Sequence, residues 1–375
     1  MGGAVRDLLL RRPPTIVDVD LVVEGDAIAF ARALGAETGS KAVAHERFGT
    51  AVLEFAEGTH MDLASSRKET YGSSGALPSV APAGLQEDLA RRDFTVNAMA
   101  IRLTPGRPEL IDPFGGVRDL RGKTIRMLHA NSPHDDPTRS FRAARYANRL
   151  GFSVGPKTRT WIREAIQAHA LDAVSGDRLR REIRLLFSEQ NRARAAGLLA
   201  RLGLDRAVDP ALTSSLHLRR ALARAEKIAR RHPRKTSWFL YFLVWAGDAS
   251  ERAAARISAR LALTGEDLSR MLRWPSVRAE LSLDRSTRSE RLSPDEVAAA
   301  AALSPPPAAR RLRASLRSRG TSLSIRGRDL LEAGVPAGPR VGRALEATFE
   351  ALREGRISRK QELEFAVRAA MGEGP

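Results

Sequence analysis

The chain has 375 residues, enough for two or three domains, and its 43% hydrophobic and 28% charged content is typical of a folded protein. Lys and Arg total 62 against 44 Asp and Glu, a net charge of +18 that favours a polyanionic partner such as nucleic acid. Because the sequence has no cysteine, it excludes disulfides, a thiolate nucleophile and cysteine-ligated zinc. No signal peptide is evident, so we expect a cytoplasmic protein.

The first feature along the chain is a pair of glycines before a predicted helix, in MGGAVRDLLLRRPP. Gly2 and Gly3 leave backbone N–H groups free to approach phosphate oxygens, and Arg6 adds a guanidinium beside them. A glycine pair alone is weak evidence for a phosphate site. It gains weight from the acids that follow.

The next feature is an apolar strand, IVDVDLVV (16–23), that carries two acids. Side chains alternate along a strand, so Asp18 and Asp20 share one face while the other face is wholly apolar. Like charges placed side by side repel, which leaves two interpretations: a divalent cation between them, or a solvated polar face at a strand end. Together with the glycine pair, the acids predict a nucleotide site in which Asp18 and Asp20 hold Mg²⁺ for two-metal chemistry.

Further strands are predicted from AVAHERFGTAVLEF, HMDLASS and NAMAIRL, with one clear helix in GDAIAFARALGAETG. From about residue 126, Ala-, Leu- and Arg-rich segments with helical periodicity replace the strand signals. We therefore predict an α+β head over 1–125 and an all-helical remainder.

Two loops and one apolar run mark the helical part. SPPPA (304–308) and GVPAGPRVG (334–342) predict breaks between helix groups. The run WFLYFLVWA (238–246) is too short to span a bilayer, so it predicts a buried helix.

Several long motifs occur in an order that resembles a known family. They are GGAVRD, DVDLVVEGDA, ETYGSSGALPSV, DLARRDFTVNAMAI, DPFGGVRDL and DDPTRSFRAARYANRLGF, with a weaker match in IRGRDLLEAGVPAGPRVGRALE. The chain resembles class II tRNA nucleotidyltransferases and poly(A) polymerases, which include CCA-adding enzymes. The resemblance implies a polymerase β-like mixed-sheet head over 1–125, followed by a helical neck over 126–190 that carries the base-selecting motif, and a helical body and tail over 191–375 that bind tRNA.

The resemblance also implies roles for single residues in the head. Asp18 and Asp20 would be the metal ligands and Asp62, in HMDLA, a third catalytic carboxylate, although a lone acid in a strand is more often a solvated one. The motif RRDFTVNAMA would contact ribose and phosphates through four residues: Arg91, Arg92, Asp93 and Asn97. The alternative for this motif is a buried Arg–Asp pair that orients a helix.

The segment DDPTR matches the base-selecting motif of the family, with Asp135 where glutamate is common. Asp136 and Arg139 are three apart, so on a helix they would lie on one face. A carboxylate and a guanidinium together match the amine and ring nitrogen of cytosine and adenine and reject guanine and uracil. Alternatively, or in addition, Asp136 before a proline is a helix N-cap.

Three further arginines, Arg142, Arg145 and Arg149, form a basic stripe along the same predicted helix. They would contact the nucleotide or the acceptor stem of the RNA, or else form a solvated face. In the helical remainder, the resemblance implies a surface that grips tRNA by shape and phosphate contacts.

The function implied by the resemblance is addition of CCA to the 3′ end of tRNA from CTP and ATP. An A-adding enzyme or a poly(A) polymerase shares these motifs and remains open, while the full-length loop at 65–89 disfavours a CC-adding enzyme. A catalytically inactive RNA-binding relative is the third reading. Family members usually carry a strand before the glycine pair; here Met1 stands at its end, so we expect either a start assigned too late or a head without that strand.

Overall fold

The structure, a computed structural model, describes residues 1–11, 18–46, 49–56, 58–76, 78–104, 106–232, 237–282, 292–318, 323–354 and 356–372. Two compact units form: Met1–Ser214 with Ile257–Leu263, and Ser215–Arg256 with Thr264–Pro375. The first unit contains the whole of the predicted head and neck. The predicted α+β class is confirmed.

The head is organised around a four-stranded sheet of β1 (Asp18–Val23), β2 (Lys41–His45), β3 (Thr50–Glu54) and β4 (His60–Ser65), in the order β1-β4-β3-β2. β1 runs parallel to β4, and the other two pairs are antiparallel. Helix α2 (Ala27–Thr38) begins at Asp26, whose carboxylate accepts from the N–H groups of Ile28 and Ala29, and ends at the left-handed Gly39. The helix covers one face of the sheet, where Ala31, Leu53 and Leu63 are buried.

Short elements complete the head. They are α1 (Gly3–Leu9), β5 (Arg67–Thr70), β6 (Ser79–Pro82), α3 (Leu85–Ala90), a 3-10 turn (Thr95–Asn97), β7 (Ala100–Arg102), β8 (Glu109–Ile111), α4 (Gly116–Arg121) and β9 (Thr124–Ile125). The predicted strands over HMDLASS and NAMAIRL and the predicted helix α2 are confirmed. The loop at 65–89 contains an antiparallel hairpin of β5 and β6 that the sequence did not indicate.

The rest of the first unit is mainly helical. Its elements are α5 (Ser132–Asp135), α6 (Thr138–Leu150), β10 (Ser153–Val154), α7 (Pro156–Gln167), a 3-10 turn (Ala170–Ala173), α8 (Gly176–Ser188), α9 (Arg192–Leu202) and α10 (Leu204–Val208). The expectation of helices alone after residue 126 is wrong at β10, which pairs in parallel with β9. Two residues are too few to show the alternation by which a strand is recognised.

The second unit is helical throughout its described residues. It contains α11 (Leu216–Arg231), α12 (Trp238–Trp245), α14 (Gly265–Ser282), α15 (Pro294–Leu303), α16 (Pro306–Ser318), α17 (Gly327–Glu332), α18 (Pro339–Glu354) and α19 (Glu362–Met371), while α13 (Glu251–Arg260) crosses the boundary between units. The predicted breaks after α15 and after α17 are confirmed, and Phe239–Trp245 of α12 are buried as expected. No helix in the described ranges is both long and apolar enough to cross a membrane.

Candidate active site

The glycine turn at the start of α1 is set by two constraints on Gly2. Its φ is +67°, a left-handed conformation that disfavours any residue with a side chain. A Cβ at this position would also lie 2.4 Å from Nη1 of Arg92. The Gly2 N–H donates to the Met99 carbonyl at 2.9 Å, so the turn is tied to the strand region that follows RRDFTVN.

Asp20 of β1 lies on the sheet face opposite α2. Asp20 pairs in register with Asp62 of the parallel strand β4, and both are exposed, whereas the adjacent Leu63 is buried in the core. Residues paired across neighbouring strands point to the same face, so two carboxylates project side by side. Asp18 belongs to β1 by its backbone, but its side chain lies outside the described residues.

This face fits a divalent cation in the chemistry of its donors. Carboxylates are the hard oxygen ligands that Mg²⁺ takes, and Asp20 and Asp62 supply two of them from a rigid sheet. No group of three or more metal-ligating side chains occurs within the described residues. Of the three predicted acids, Asp20 and Asp62 are the described side chains on this face that would hold the ion.

Asp93 forms the centre of a buried polar network. Its Oδ1 accepts from the Phe94 N–H at 2.8 Å and from Nδ2 of Asn97 at 3.0 Å, and its Oδ2 accepts twice from Arg142, at 2.8 and 2.5 Å. The two oxygens have about four acceptor positions. All are used within the protein, which matches a buried Arg–Asp pair rather than a free acceptor for ribose.

The pair is held in its charged form. Burial alone would raise the pKa of Asp93, but the charge of Arg142 and the hydrogen bonds from Asn97 and Arg142 outweigh it and hold the pKa below its usual value. Burial likewise opposes the charge of Arg142, and Asp93 raises the pKa of that guanidinium above its ordinary value. Both groups remain ionised at neutral pH.

Arg6 connects the glycine turn to this network. Its Nη1 donates to Oδ1 of Asn97 at 2.6 Å, and its other two nitrogens donate to Asp7 at 2.8 and 2.9 Å. The side chain is only 3% exposed. Arg6 therefore fixes Asn97 and the turn.

Arg91 and Arg92 are also paired with acids. Arg91 donates to Glu69 at 2.7 Å and to Asp88 at 2.8 Å, and Arg92 contacts the other oxygen of Asp88 at 3.3 Å. Asp88 is 1% exposed, so it is a buried counter-ion shared by the two arginines. Their guanidinium groups are therefore held in place before any ligand binds.

Asp136 caps helix α6. Its backbone is extended, with φ −134° and ψ 96°, and its Oδ1 accepts from the N–H of Thr138 at 3.1 Å and from the hydroxyl of Thr138 at 2.6 Å. The capping interpretation is confirmed. The expectation that Asp136 and Arg139 share a helix face is wrong in its premise, because α6 begins only at Thr138 and Asp136 precedes it.

Arg139 is held by three oxygens. It donates to Oγ of Ser132 at 2.9 Å, to the carbonyl of Arg91 at 2.8 Å and to the hydroxyl of Tyr71 at 3.4 Å. The guanidinium also lies over the Tyr71 ring, 5.9 Å from its centroid. At 6% exposure its orientation is fixed by the protein.

The other arginines of α6 surround Tyr146. Arg142 and Arg145 lie 5.6 and 5.0 Å from the centroid of its ring, and Arg6 lies at 5.4 Å. Arg145 is 8% exposed and pairs with Glu182 at 3.3 Å. The interpretation of the three arginines of the basic stripe as a solvated face is therefore wrong for Arg142 and Arg145. Of the three, Arg149 is the one whose side chain is exposed.

These side chains line one cleft of about 1200 Å³ within the first unit. The predicted residues in its wall are Gly3, Arg6, Asp20, Arg91, Arg92, Asp93, Asn97, Asp136, Arg139, Arg142, Arg145 and Arg149. Gly2 and Asp62 are not part of the lining. The cleft therefore combines Asp20 of the sheet with a wall of arginines.

Comparison with known proteins supplies the family. Two family models match: the poly A polymerase head domain over residues 1–126, and a probable RNA- and SrmB-binding site of polymerase A over 151–216. A CC-adding tRNA nucleotidyltransferase of Deinococcus radiodurans is 33% identical over 100% of this chain and 90% of its own length. The chain belongs to the tRNA nucleotidyltransferase and poly(A) polymerase family.

Family members with different products are similar to this chain. An A-adding tRNA nucleotidyltransferase of Geobacter sulfurreducens is 34% identical over 99% of the chain, which spans only 45% of that relative's length. A solved CCA-adding enzyme in its apo form covers 98% of the chain and 90% of its own, with a TM-score of 0.78 and 27% identity. A Thermotoga maritima CCA-adding enzyme in complex with tRNA has a TM-score of 0.70 at 25% identity, over 100% of this chain and 90% of its own.

Sequence reasoning missed several residues of this family member's cleft, and four of them are Glu69, Tyr71, Arg178 and Glu182. Arg178 donates to Oδ1 of Asp136 at 2.8 Å and to the carbonyl of Gly75 at 2.7 Å, so it joins helix α8 to the loop at 65–89. Tyr71 donates to Glu69 at 3.0 Å, and burial raises its pKa to about 12. The only available signal was the motif ETYGSSGALPSV, which contains Glu69 and Tyr71.

Proposed function

We propose that this protein is a template-independent RNA nucleotidyltransferase that completes the 3′ end of tRNA with CCA, using CTP, ATP and Mg²⁺. The family membership and the cleft support nucleotidyl transfer. Asp18 and Asp20 would hold the ion, and Asp62 would be a third catalytic carboxylate beside Asp20. A divalent ion held there would activate the attacking 3′ hydroxyl and stabilise the leaving pyrophosphate.

The observation that carries the proposal is the unused bonding capacity of Asp136 and Arg139 in the cleft. Oδ1 of Asp136 accepts every hydrogen bond that the described residues give this side chain, so Oδ2 is left to accept from a base. The nitrogens that hold Arg139 are Nη1 and Nη2, which leaves its Nε–H. One acceptor beside one donor suits cytosine and adenine, which offer an amine next to a ring nitrogen, and opposes guanine and uracil.

The remaining residues position the nucleotide. The arginines around Tyr146 supply positive charge toward the triphosphate, and Asp93 keeps Arg142 ionised and oriented. The absence of a side chain at Gly2 lets the backbone of the turn lie close to the Arg92 guanidinium. Arg6 holds that turn in place through its hydrogen bond to Asn97. Preorganised charge of this kind needs little rearrangement when the reaction occurs.

A second candidate is addition of the terminal A alone. It is favoured by the A-adding relative of Geobacter sulfurreducens, which matches 99% of this chain. Addition of CC alone is represented in the same way by the CC-adding relative of Deinococcus radiodurans, which matches 100% of this chain. In this chain the loop at 65–89 is tied to the cleft through Ser74, whose hydroxyl donates to the His134 carbonyl at 2.7 Å, and through Gly75.

Primer extension tests the proposal. Purified protein with Mg²⁺ is given tRNA transcripts that end before CCA, after C and after CC, each with CTP, ATP or both, and products are resolved to one nucleotide. Extension of all three to a common CCA end supports CCA addition, whereas extension of only the CC-ended transcript with ATP supports A addition. No extension of any transcript contradicts the proposal.

A further inference from the structure

A second pocket, of about 660 Å³, lies within the second unit. One wall is a single face of α11, which contributes residues at 217, 224, 227, 228 and 231. The other wall is the end of α15, the start of α16 and the turn between them. The volume lies in the range of pockets that hold small ligands.

The floor and the rim of this pocket differ in chemistry. The floor is apolar, with Ile228, Leu303 and Ala309 all at least 92% buried and two prolines of the α15–α16 turn beside them. The rim carries His217, Arg224, Lys227, Arg231, His232 and Arg313. None of the described residues that line the pocket is acidic.

Two of the rim arginines are already oriented. Nε of Arg224 donates to the carbonyl of Ala302 at 2.7 Å, and Nε of Arg313 donates to the carbonyl of Ala309 at 3.0 Å. No described residue accepts a hydrogen bond from their Nη nitrogens. Each arginine therefore presents a fixed fork, the geometry that recognises a phosphate oxygen pair.

A ligand that satisfies both parts must be apolar on one side and anionic on the other. A nucleotide has this form, because its base can lie against aliphatic side chains and guanidinium planes while its phosphate meets the rim. We propose that this pocket binds one nucleotide unit, with the base on the Ile228 and Pro306 floor and the phosphate on Arg224, Arg231 and Arg313. The inference rests on the proposed function only where that nucleotide belongs to tRNA.

Charge reversal at two adjacent arginines tests the rim. Arg231 lines the pocket, whereas Arg230, which is also exposed on α11, does not. We expect R231E to weaken binding of a tRNA transcript about tenfold, and to reduce the slope of log Kd against log salt by about one relative to R230E. The two variants have the same net charge, so a general electrostatic effect would change both equally.

Filling the pocket tests the floor without changing charge. In A309F the new ring occupies the site of the base, and its Tm shows whether the variant is folded. Binding of the tRNA transcript and equilibrium dialysis with AMP, both with nucleotide triphosphates absent, separate the two sources of the nucleotide. Loss of tRNA affinity assigns the site to RNA, and loss of one AMP site assigns it to a free nucleotide.

The inference is overturned if R231E equals R230E in both assays, since surface variants of this kind keep the protein folded. Turnover is not measured in either assay, so the outcome is independent of the proposed function. If R231E weakens binding but the wild-type protein never extends tRNA, the pocket inference is supported and the CCA-adding proposal is contradicted. If the wild-type protein extends tRNA and R231E binds as R230E does, the CCA-adding proposal is supported and the pocket inference is contradicted.

Discussion

The cleft of the first unit and the pocket of the second unit both carry arginines, but they use them differently. In the cleft, Arg91 and Arg92 share Asp88, Arg142 pairs with Asp93, and Arg178 pairs with Asp136. In the pocket of the second unit, no lining residue among those described is acidic. Pairing gives the cleft fixed directions, whereas unopposed charge gives the pocket attraction for an anion.

This difference shows how one basic chain can combine selectivity with affinity. A carboxylate partner offsets part of the positive potential of a guanidinium, but the N–H donors that remain free point in a defined direction. An unpaired cation attracts any phosphate, and salt weakens that attraction. The net charge of +18 therefore does not act as one uniform property of the surface.

The largest expected effect comes from removing the acids of β1. Asp18→Ala with Asp20→Ala should lower turnover at least about 10³-fold, because several kcal/mol of transition-state stabilisation are lost with the cation. Affinity for tRNA should stay within a factor of two of wild type, as measured by filter binding. Glu54→Gln, an exposed acid of the same sheet, is the matched control and should retain full turnover. Unchanged turnover in the double variant would exclude this face as the metal site.

The second largest effect is expected on stability, when the Asp93–Arg142 pair of the cleft is broken. Asp93→Asn should lower the free energy of unfolding by about 2–3 kcal/mol, because Arg142 loses a buried charged partner. Urea unfolding at pH 7 measures the change. The control is Asp172→Asn, whose side chain is 68% exposed, and which should change stability by less than about 0.5 kcal/mol.

The lowered pKa of Asp93 also predicts how the free energy of unfolding depends on pH. The pKa of Asp93 is lowered by folding, so its contribution is complete above the unfolded pKa of about 3.9 and is lost as pH falls through the lower folded value. Wild type should therefore lose stability between about pH 5 and pH 2 more steeply than Asp93→Asn. Parallel pH curves for the two proteins would show that the pair contributes nothing.

Removing Arg178 should weaken catalysis less than removing the metal ligands. Arg178→Ala takes one charged hydrogen bond from Asp136 and one from the loop carbonyl of Gly75. We expect kcat/KM for CTP and ATP to fall about tenfold, since a hydrogen bond to a charged group contributes roughly 1.5–3 kcal/mol and both partners are partly exposed. Arg184→Ala, an exposed residue of α8 outside the cleft, is the control.

Tyr71→Phe tests the support of Arg139 on a smaller scale. The hydroxyl is one of three acceptors for Arg139, so its loss should cost about 1 kcal/mol, or roughly fivefold in selection of CTP and ATP against GTP and UTP. The pKa of about 12 keeps Tyr71 protonated, so the pH–rate profiles of wild type and variant should have the same shape from pH 7 to 10. A new basic limb in wild type alone would contradict this assignment.

The smallest expected effect is on stability, at the arginines in and beside the pocket of the second unit. R230E and R231E should each change the free energy of unfolding by less than about 0.5 kcal/mol, because both arginines are exposed and no described side chain pairs with either. Thermal unfolding of both variants measures this. A loss of 2 kcal/mol in R231E would mean that the rim of the pocket is paired after all.

Local patterns predicted much of the fold. Alternation identified β1 and its acid face, Asp26 and Gly39 bound the predicted helix α2, and proline-rich segments marked the breaks after α15 and α17. The capping role of Asp136 followed from the proline beside it. Each of these features depends on neighbours within a few residues.

The partners inside the cleft could not be predicted in the same way. Glu69 meets Arg91 across 22 residues, Asp93 meets Arg142 across 49, and Arg178 reaches Gly75 across 103. Contacts over such separations cannot be read from the sequence, because helix and strand periodicity relates only residues a few positions apart. Arg142 and Arg145 were expected at the nucleotide or in solvent, and the buried acids that orient them were found only in the structure.

These long separations have a consequence for how the protein is made. Contacts between distant segments form late in folding, after the loops that join them have closed. Arg178 must leave the ribosome before Gly75 and Asp136 can be held in place, so a nascent chain that has already folded its sheet still has an incomplete cleft. Until α8 has emerged, the chain therefore lacks the arginine that holds Asp136 and the Gly75 carbonyl.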